Sequence, residues 1–435
     1  MPTNKPLRII IAGAGLGGLA AACRFAKDGH QVDLFERSKS LSTASGAIFI
    51  RSNAVRCFCR WQMRNAFEAV TAEIKNHQTR NGLDNELLQR LSSSGFSDYP
   101  EWSTDREALQ NLLYEQALAA GAKITFDVEI ADVSEVGDLV YATCKDGTKH
   151  TGDLLLAADG ISSRLRATIL SDQKPTSLAP IPAPSVHYPT EIPRDRLLAN
   201  TLTKSLIAEP DADDSIMWAG HGGYAIGKYN HARQLFNLMF SIQDSSEDYA
   251  KNPRLFDEVG DTSIVKDFFK EYHPILDALS GMTESCSRWR LARLEPLDTW
   301  SSQGGRLVLL GDSAHAMLPN LAQGFSCIVE DIEVLSLLLE NGGDVSSIVK
   351  SWEDIRISRV TRLQDGSLWN YRLYTSGKAP GEELSEEDKK LPMGEGNGTA
   401  PYNSLPFLKW VFDYDAAKEV SFELKPNDAI AEALN

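Results

Sequence analysis

The sequence predicts an α/β fold: a parallel α/β unit that carries an inserted, largely antiparallel β-sheet domain and is followed by C-terminal helices. Residues 7–36 have the pattern of a buried strand, a glycine-rich turn, a helix and a second strand, which is the order of a βαβ unit. From about residue 175 to 300 the pattern changes to clustered prolines and alternating apolar and polar residues, which indicates antiparallel strands. Residues 306–311 return to the pattern of a buried strand.

The individual elements follow from the spacing of apolar residues and from capping signals. The apolar run at 7–12 is bounded by glycine and is typical of a buried parallel strand. The segment 16–28 is compatible with a helix, and Ser103 or Thr104 is the expected cap of another helix at 104–120. The remaining expected elements are strands at 31–36, 122–127, 138–144, 152–157 and 306–311 and helices at 321–340 and 345–374.

These elements predict a discontinuous domain organisation. Residues 1–175 and 296–375 are expected to form the α/β domain, because both segments carry buried-strand and helix patterns. Residues 176–295 are expected to form the inserted β-sheet domain, which we interpret as the substrate-binding part. Residues 376–435 are expected to be a C-terminal loop and tail, since 376–405 is rich in Gly, Pro and Glu.

Composition limits the classes of partner. Asp and Glu number 60 against 44 Lys and Arg, and the net charge of −16 disfavours nucleic acid as a partner. We find no apolar run of the roughly 18 residues that a transmembrane segment needs, and no cleavage site after the apolar start. The six cysteines form no CxxC pair and the histidines no HxxxH pair. We therefore expect free thiols, no metal site and a cytoplasmic location.

The motif Gly13-Ala14-Gly15-Leu16-Gly17-Gly18 lies between the first strand and the first helix. Gly13 permits the tight turn, Gly15 lets the backbone approach a pyrophosphate, and Gly18 lets the helix pack on the strand. Glu36 ends the second strand, where a carboxylate accepts a hydrogen bond from a ribose 2′-hydroxyl and disfavours a 2′-phosphate. The pattern predicts that FAD or NAD is bound at the N-terminus of this helix.

A second formal match to the glycine pattern covers residues 220–225. It has no clear strand before it and no acid at the end of a partner strand, so we interpret it as fortuitous. The chain is therefore predicted to have one dinucleotide site.

Two further motifs follow predicted buried strands. Asp159-Gly160 comes after the strand at 152–157, and Asp312 follows Gly311 after the strand at 306–311. Asp159 is either a ligand or part of a tight turn. Asp312 is either a hydrogen-bond acceptor for a ribitol hydroxyl or a helix cap. The residues alone leave both alternatives open.

Taken together, these motifs resemble the single-component FAD-dependent aromatic hydroxylases, the group of salicylate hydroxylase and para-hydroxybenzoate hydroxylase. The match is closest to fungal secondary-metabolite flavin monooxygenases, and it covers residues 7–375 and a tail patch at 410–415. The resemblance implies a Rossmann-like FAD-binding domain with tightly but noncovalently held FAD. The cofactor-binding residues expected from the glycine motif and from the resemblance are Gly13, Gly15, Leu16, Gly18, Glu36, Arg37, Gly46, Ala47, Arg106, Asp159, Asp312, Gly324 and Phe325.

The resemblance also implies a reaction. NAD(P)H transiently binds and reduces the flavin, O₂ forms a flavin C4a-hydroperoxide, and the oxygen is transferred to an aromatic small molecule. The expected enzyme is thus an FAD-dependent NAD(P)H monooxygenase of secondary metabolism. The protein must position the aromatic ring and exclude water.

The sequence departs from the family where a substrate-activating residue is usual. Many fungal members have an arginine at the position of Pro189, and Tyr224 stands at the family's histidine position. Tyr224, His187 and Tyr188 are the candidate catalytic residues, because a phenol gains reactivity from a base or a hydrogen-bond partner. Each is also readily interpreted as a buried, hydrogen-bonded core residue.

Three other functions are consistent with the same motifs. The first is epoxidation of an indole or alkaloid ring, which needs no phenolate base. The second is a flavin disulfide or amine oxidoreductase, although no CxxC pair supports the disulfide reaction. The third is a non-oxygenating FAD redox sensor, which substrate-stimulated oxidation of NAD(P)H would distinguish from an enzyme.

Overall fold

A parallel sheet of five strands forms the first layer, and its centre is the apolar strand Arg8–Ala12. Ile9, Ile10 and Ile11 are at most 2% exposed, as the apolar run predicted. The helix Leu16–Lys27 packs against two other helices of this unit, Arg106–Ala119 and Gly324–Glu340. The strand order is Leu307–Leu309, Leu154–Ala157, Arg8–Ala12, Gln31–Phe35 and Lys123–Thr125.

A larger sheet of eight strands forms the second layer. All its neighbouring strands run antiparallel except one pair, in which Asp214–Gly220 lies parallel to Asn76–Asn81. The segment 76–92 therefore contributes a hairpin to this sheet from the N-terminal part of the chain. The strand order is Phe256–Asp257, Arg288–Arg293, Ile181–Pro193, Leu235–Gln243, Gly223–Asn230, Asp214–Gly220, Asn76–Asn81 and Leu87–Ser92.

This computed structural model describes residues 5–41, 46–171, 178–208, 211–244, 251–375, 402 and 404–423. Two sheets of three strands complete the β-structure: Lys149–Gly152, Leu139–Cys144 and Ile130–Val136 form one, and Ala47–Ile50, Glu101–Asp105 and Ala72–Ile74 form the other. The α-helices within these ranges are Leu16–Lys27, Ser52–Arg60, Arg64–Glu68, Arg106–Ala119, Arg166–Ile169, Arg194–Ala199, Thr262–Phe269, Pro274–Gly281, Asp312–His315, Gly324–Glu340, Val345–Thr375, Leu405–Phe412 and Ala416–Glu423.

The predicted fold class is confirmed, with corrections at particular elements. The helix expected at 104–120 begins at Arg106, because Asp105 is its cap and accepts a hydrogen bond from the Ala108 backbone N–H at 2.7 Å. Ser103 and Thr104 belong instead to the strand before it. The hairpin at 76–92 was not anticipated. Most of the loop expected at 376–405 lies outside the described residues.

The fortuitous glycine match at 220–225 is a β-hairpin. The strand Asp214–Gly220 does precede it, contrary to the expectation, but the strand Gly223–Asn230 follows where a dinucleotide motif needs a helix. A Cβ at Gly223 would lie 2.6 Å from a ring carbon of Phe268. The glycine there allows close packing and not an approach to phosphate.

A cluster of buried charges holds the C-terminal segment on the α/β unit. Glu330 and Asp331 are fully buried, and Arg356 pairs with both at 2.7 Å. Arg359 pairs with Glu330 at 2.8 Å, donates to the Val411 carbonyl at 2.9 Å and lies over the Tyr414 ring. The tail patch at 410–415 is thereby anchored to the helix Val345–Thr375.

The described part of the chain has three further features. No helix within it is long and apolar enough to span a membrane. Among the same residues, no cluster of three or more His, Cys, Asp or Glu side chains is arranged to hold a metal ion. The six cysteines are unpaired and five of them are buried.

Candidate active site

The glycine turn has the shape that a dinucleotide requires. A Cβ at Gly13 would lie 2.6 Å from the Ala158 carbonyl oxygen, and one at Gly18 would lie 1.9 Å from the Gly13 carbonyl oxygen. These two positions are filled by backbone, so only glycine fits them. At Gly15, by contrast, no atom lies within 4 Å of the Cβ position. The backbone there is open to a ligand, which fits the close approach of a pyrophosphate.

Glu36 closes this turn from the second strand. One carboxylate oxygen accepts from the Ala14 backbone N–H at 2.7 Å, and the other accepts from the Ser38 N–H at 2.8 Å. A carboxylate has about four acceptor positions. Glu36 therefore keeps the capacity to accept from a ribose hydroxyl while it holds the glycine turn in place.

A cavity of about 500 Å³ begins at this turn and extends to the eight-stranded sheet. The loops of the parallel sheet form one side of it and side chains of the antiparallel sheet form the other. Of the expected cofactor-binding residues, those that line the cavity are Gly15, Leu16, Ala47, Arg106, Asp312, Gly324 and Phe325.

Arg106 and Asp312 bring charge of opposite sign to the cavity. Arg106 is the first residue of its helix, and its guanidinium lies 5.1 Å from the centre of the Trp289 ring. Burial lowers the pKa of Arg106, and the Asp312 carboxylate acts in the opposite direction. The left-handed Gly311 (φ 68°) turns the chain so that Asp312 begins the next helix.

The buried Arg166 joins the Asp159 and Asp312 motifs, and sequence reasoning missed it. Its Nε donates to the Ser313 carbonyl at 2.6 Å, and its Nη2 donates to the Ile161 carbonyl at 2.9 Å. The arginine therefore fixes both strand-to-turn loops against each other. Only its short distance from the Asp159-Gly160 motif could have indicated this role.

The remaining expected cofactor residues do not line the cavity. The Asp159 carboxylate accepts a hydrogen bond from the Arg164 backbone N–H at 3.0 Å. This contact supports the interpretation of Asp159 as part of a tight turn. The Gly46 carbonyl accepts from the Arg106 N–H at 2.9 Å. Arg37 is exposed, and Gly13 and Gly18 pack the turn as described above.

Tyr224 lies on the cavity face of the antiparallel sheet. Its hydroxyl lies 3.1 Å from His187 Nε2 and accepts from the Asn320 amide at 3.1 Å. Burial raises the pKa of Tyr224, against hydrogen bonds from Ser241 and Asn320, and burial lowers the pKa of His187 to about 3. Both side chains are therefore uncharged at neutral pH.

Tyr188, the third candidate catalytic residue, does not face this cavity. Successive residues of a strand point to opposite faces, and His187 takes the cavity face. Tyr188 is 2% exposed and packs in the hydrophobic cluster on the other face of the sheet. The structure thus brings together two of the three expected residues.

A second polar group on the cavity wall was not anticipated. Arg51 is 7% exposed and lies 3.2 Å from Glu101, while His77 Nε2 lies 2.5 Å from the same carboxylate. The three residues come from a helix cap, a strand of the eight-stranded sheet and a strand of a small sheet. Arg51 and His77 both line the cavity.

The C-terminal segment also reaches the cavity. Leu408 and Phe412 line it, and the Arg51 guanidinium lies 4.0 Å from the centre of the Phe412 ring. The Ser52 hydroxyl donates to the Phe412 carbonyl at 2.7 Å. The tail patch therefore forms part of the wall.

Residues 7–188 match the family described as FAD binding domain. An FAD-dependent monooxygenase, OpS4, of Beauveria bassiana (strain ARSEF 2860) is 23% identical over 95% of this chain and 96% of its own length. Over nearly its whole length, the chain is similar to FAD-dependent monooxygenases. A 6-hydroxynicotinate 3-monooxygenase of Bordetella bronchiseptica is 27% identical over 86% of this chain and 93% of its own length.

Solved structures share the fold of this chain. CtdE in complex with FAD and its substrate superimposes with a TM-score of 0.80 at 19% identity, over 96% of this chain and 98% of that one. A salicylate hydroxylase substrate complex gives a TM-score of 0.77 at 22% identity, over 98% and 99% of the two chains. At these identities the likeness concerns the fold.

Proposed function

We propose that this monooxygenase uses NAD(P)H and O₂ to hydroxylate an aromatic small molecule, as part of secondary metabolism. The observation that carries the proposal is one continuous cavity that runs from the open backbone at Gly15 to Tyr224. FAD, once reduced by NAD(P)H, supplies the oxygen chemistry. The open glycine turn, Glu36 and the charges of Arg106 and Asp312 fit this cofactor.

The residues of the chain have three roles in this proposal. The glycine turn and Glu36 bind the adenosine and pyrophosphate part of the cofactor, and Arg106 and Asp312 bind near its other end. Tyr224 and His187 orient an oxygen or nitrogen atom of the substrate. The apolar side chains of the wall, such as Met239 and Phe412, exclude water.

Tyr224 and His187 are better suited to orient a substrate than to deprotonate it. A proton passed through the Tyr224 hydroxyl would have to be accepted by an imidazole whose pKa is about 3. This observation also supports the second candidate function, epoxidation of an indole or alkaloid ring, because that reaction needs no base. A redox sensor binds FAD but no substrate. It would therefore not need the polar side chains of Tyr224 and His187 on the side of the cavity away from the cofactor.

The test uses the purified protein. We expect one noncovalent FAD per chain, and oxidation of NAD(P)H that increases when a phenol or an indole is added. Mass spectrometry should then show a product heavier by one oxygen atom. Absence of FAD would contradict the cofactor assignment, whereas FAD with oxidation of NAD(P)H that no compound stimulates would favour the sensor. A cytoplasmic location stays a prediction.

A further inference from the structure

The cavity has a second polar end, separated from Tyr224 along the sheet. His77 and Tyr224 both lie opposite the strand Asp214–Gly220. The backbone partner of His77 in that strand is Ser215, and the backbone partner of Tyr224 is Ala219, four residues further along. At roughly 3.3 Å per residue, the two ends lie on the order of 13 Å apart. This backbone separation favours a ligand longer than a single benzene ring.

The Arg51 guanidinium at this end has a donor that is free for a ligand. The Arg51 Nη1 atom is shared between Glu101 and His77. The Nε atom of Arg51 is buried and has no hydrogen-bond partner in the described part of the chain. Because a buried cationic donor without a partner is costly, a ligand acceptor would stabilise this arrangement.

Glu101 holds the side chains of Arg51 and His77 in position. It is fully buried, and besides Arg51 and His77 it accepts from the Ser93 hydroxyl. Burial acts to raise the pKa of Glu101, but the attraction of Arg51 and His77 outweighs it and keeps the pKa low. The carboxylate thus stays ionised and positions Arg51 and His77 at the wall.

The surroundings separate this group from solvent. The Phe412 ring covers the Arg51 guanidinium, and the Phe49 ring lies 6.4 Å from the His77 ring. Tyr374 is a titratable neighbour of Arg51, and its ring centre lies 5.9 Å from that of Tyr224. Apolar and aromatic side chains therefore line the space between the two polar ends.

We propose that Arg51 and His77 form a subsite for a carboxylate or another acidic oxygen of the substrate, which is longer than one aromatic ring. This inference rests on the proposed function and adds the class of substrate to it. Tyr224 and His187 contact one end of such a molecule, and Arg51 and His77 contact its anionic end. Charge-assisted hydrogen bonds of this kind are about twice as strong as neutral ones.

The probe is 4′-hydroxybiphenyl-4-carboxylate, compared with its carboxamide and with 4-hydroxybenzoate, by calorimetry on the FAD-loaded protein. The wild-type protein should bind the biphenyl acid at least about tenfold more tightly than the amide. His77→Gln should reduce that preference. Arg51→Gln combined with Glu101→Gln, which leaves no unpaired buried charge, should abolish it. Arg64→Gln is the control, because Arg64 is half exposed, forms an ion pair with Glu68 and does not line the cavity.

Equal binding of acid and amide to the wild-type protein would overturn the inference, as would a preference that survives in the double variant. No binding of the biphenyl acid, or tighter binding of 4-hydroxybenzoate, would overturn it too. The FAD content and the oxidation of NAD(P)H are measured on the same samples. A protein that passes those two measurements and fails the binding comparison refutes the subsite alone, and the proposed function stands.

Discussion

The side-chain amide of Asn320 donates to the hydroxyl of Tyr224 at 3.1 Å. Asn320 belongs to the loop that follows the last parallel strand, and Tyr224 belongs to the antiparallel sheet. The bond therefore joins the part of the cavity that fits the cofactor to the part that fits the substrate. Asn320 is in turn held by Asn370, whose amide donates to its carbonyl at 3.0 Å.

Tyr224→Phe removes the hydroxyl from this junction. We expect hydroxylation to slow by at least tenfold and hydrogen peroxide release to increase, because the substrate loses an oriented hydrogen bond, while the FAD content stays unchanged. Coupled assays of product and peroxide measure both effects. Tyr188→Phe is the matched control, since Tyr188 packs on the opposite face of the sheet. Equal losses in the two variants would show that the hydroxyl has no specific role.

Gly15→Val tests the glycine turn. Its side chain would enter the open space where the pyrophosphate approaches, so the variant should purify without FAD yet remain folded. Gly95→Val is the matched control, because Gly95 also has no atom within 4 Å of its Cβ position and is exposed. Flavin absorbance per chain and circular dichroism measure the outcome. Normal FAD content in Gly15→Val would refute the assignment of the turn.

Glu36→Ala should weaken FAD binding by roughly five- to 150-fold, the equivalent of about 1–3 kcal/mol for a buried group left without its partner. The loss has two sources, namely the ribose contact and the release of the Ala14 N–H. Titration of apoprotein with FAD measures the dissociation constant. Glu115→Ala, an exposed position on a neighbouring helix, should leave it unchanged. An unaltered constant in Glu36→Ala would remove Glu36 from the site.

Local patterns predicted the strand, glycine turn, helix and second strand next to the cavity, and the structure contains these elements. The glycine turn and Glu36 lie within one βαβ unit of 30 residues, numbered 7–36, where each residue's role follows from its neighbours in the sequence. The predicted helix cap, Ser103 or Thr104, was wrong by one or two residues. Ser103, Thr104 and Asp105 are all residue types that cap helices, and only the hydrogen bond from the Ala108 N–H identifies Asp105 as the cap.

The substrate side was predictable only in part, because its residues meet through long-range pairing. Arg51, His77 and Glu101 belong to three elements whose contact depends on how the hairpin at 76–92 joins the eight-stranded sheet. Neither composition nor spacing indicates that pairing. Strand alternation, in contrast, could already have shown that His187 and Tyr188 point to opposite faces.

The buried charges of the helix Gly324–Glu340 predict a pH dependence of stability. Burial acts to raise the pKa of Glu330 and Asp331, but Arg359 and Arg356 outweigh it and lower both values. A group with a lowered pKa in the folded state stabilises that state fully above its unfolded-state pKa, which is about 4.5 for Glu330 and about 3.8 for Asp331. The stabilisation decreases as the pH falls below that value.

Glu330→Gln should therefore lower the free energy of unfolding at pH 7 by about 3–5 kcal/mol, and this difference should shrink as the pH falls below about 4.5. Urea unfolding at several pH values measures it. Glu340→Gln on the same helix is the control and should cost no more than about 1 kcal/mol, since Glu340 is half exposed. A constant difference between pH 7 and pH 4 would contradict the account.

The origin of the oxygen atom in the product tests the central claim most directly. Holoenzyme, NAD(P)H and the hydroxybenzoate, hydroxypyridine or indole that most stimulates NAD(P)H oxidation are incubated under oxygen-18 gas in ordinary water. A monooxygenase that keeps water out of this cavity should place one oxygen-18 atom in the product. A product that carries oxygen from water, or oxidation of NAD(P)H that yields only hydrogen peroxide with every compound, would contradict it.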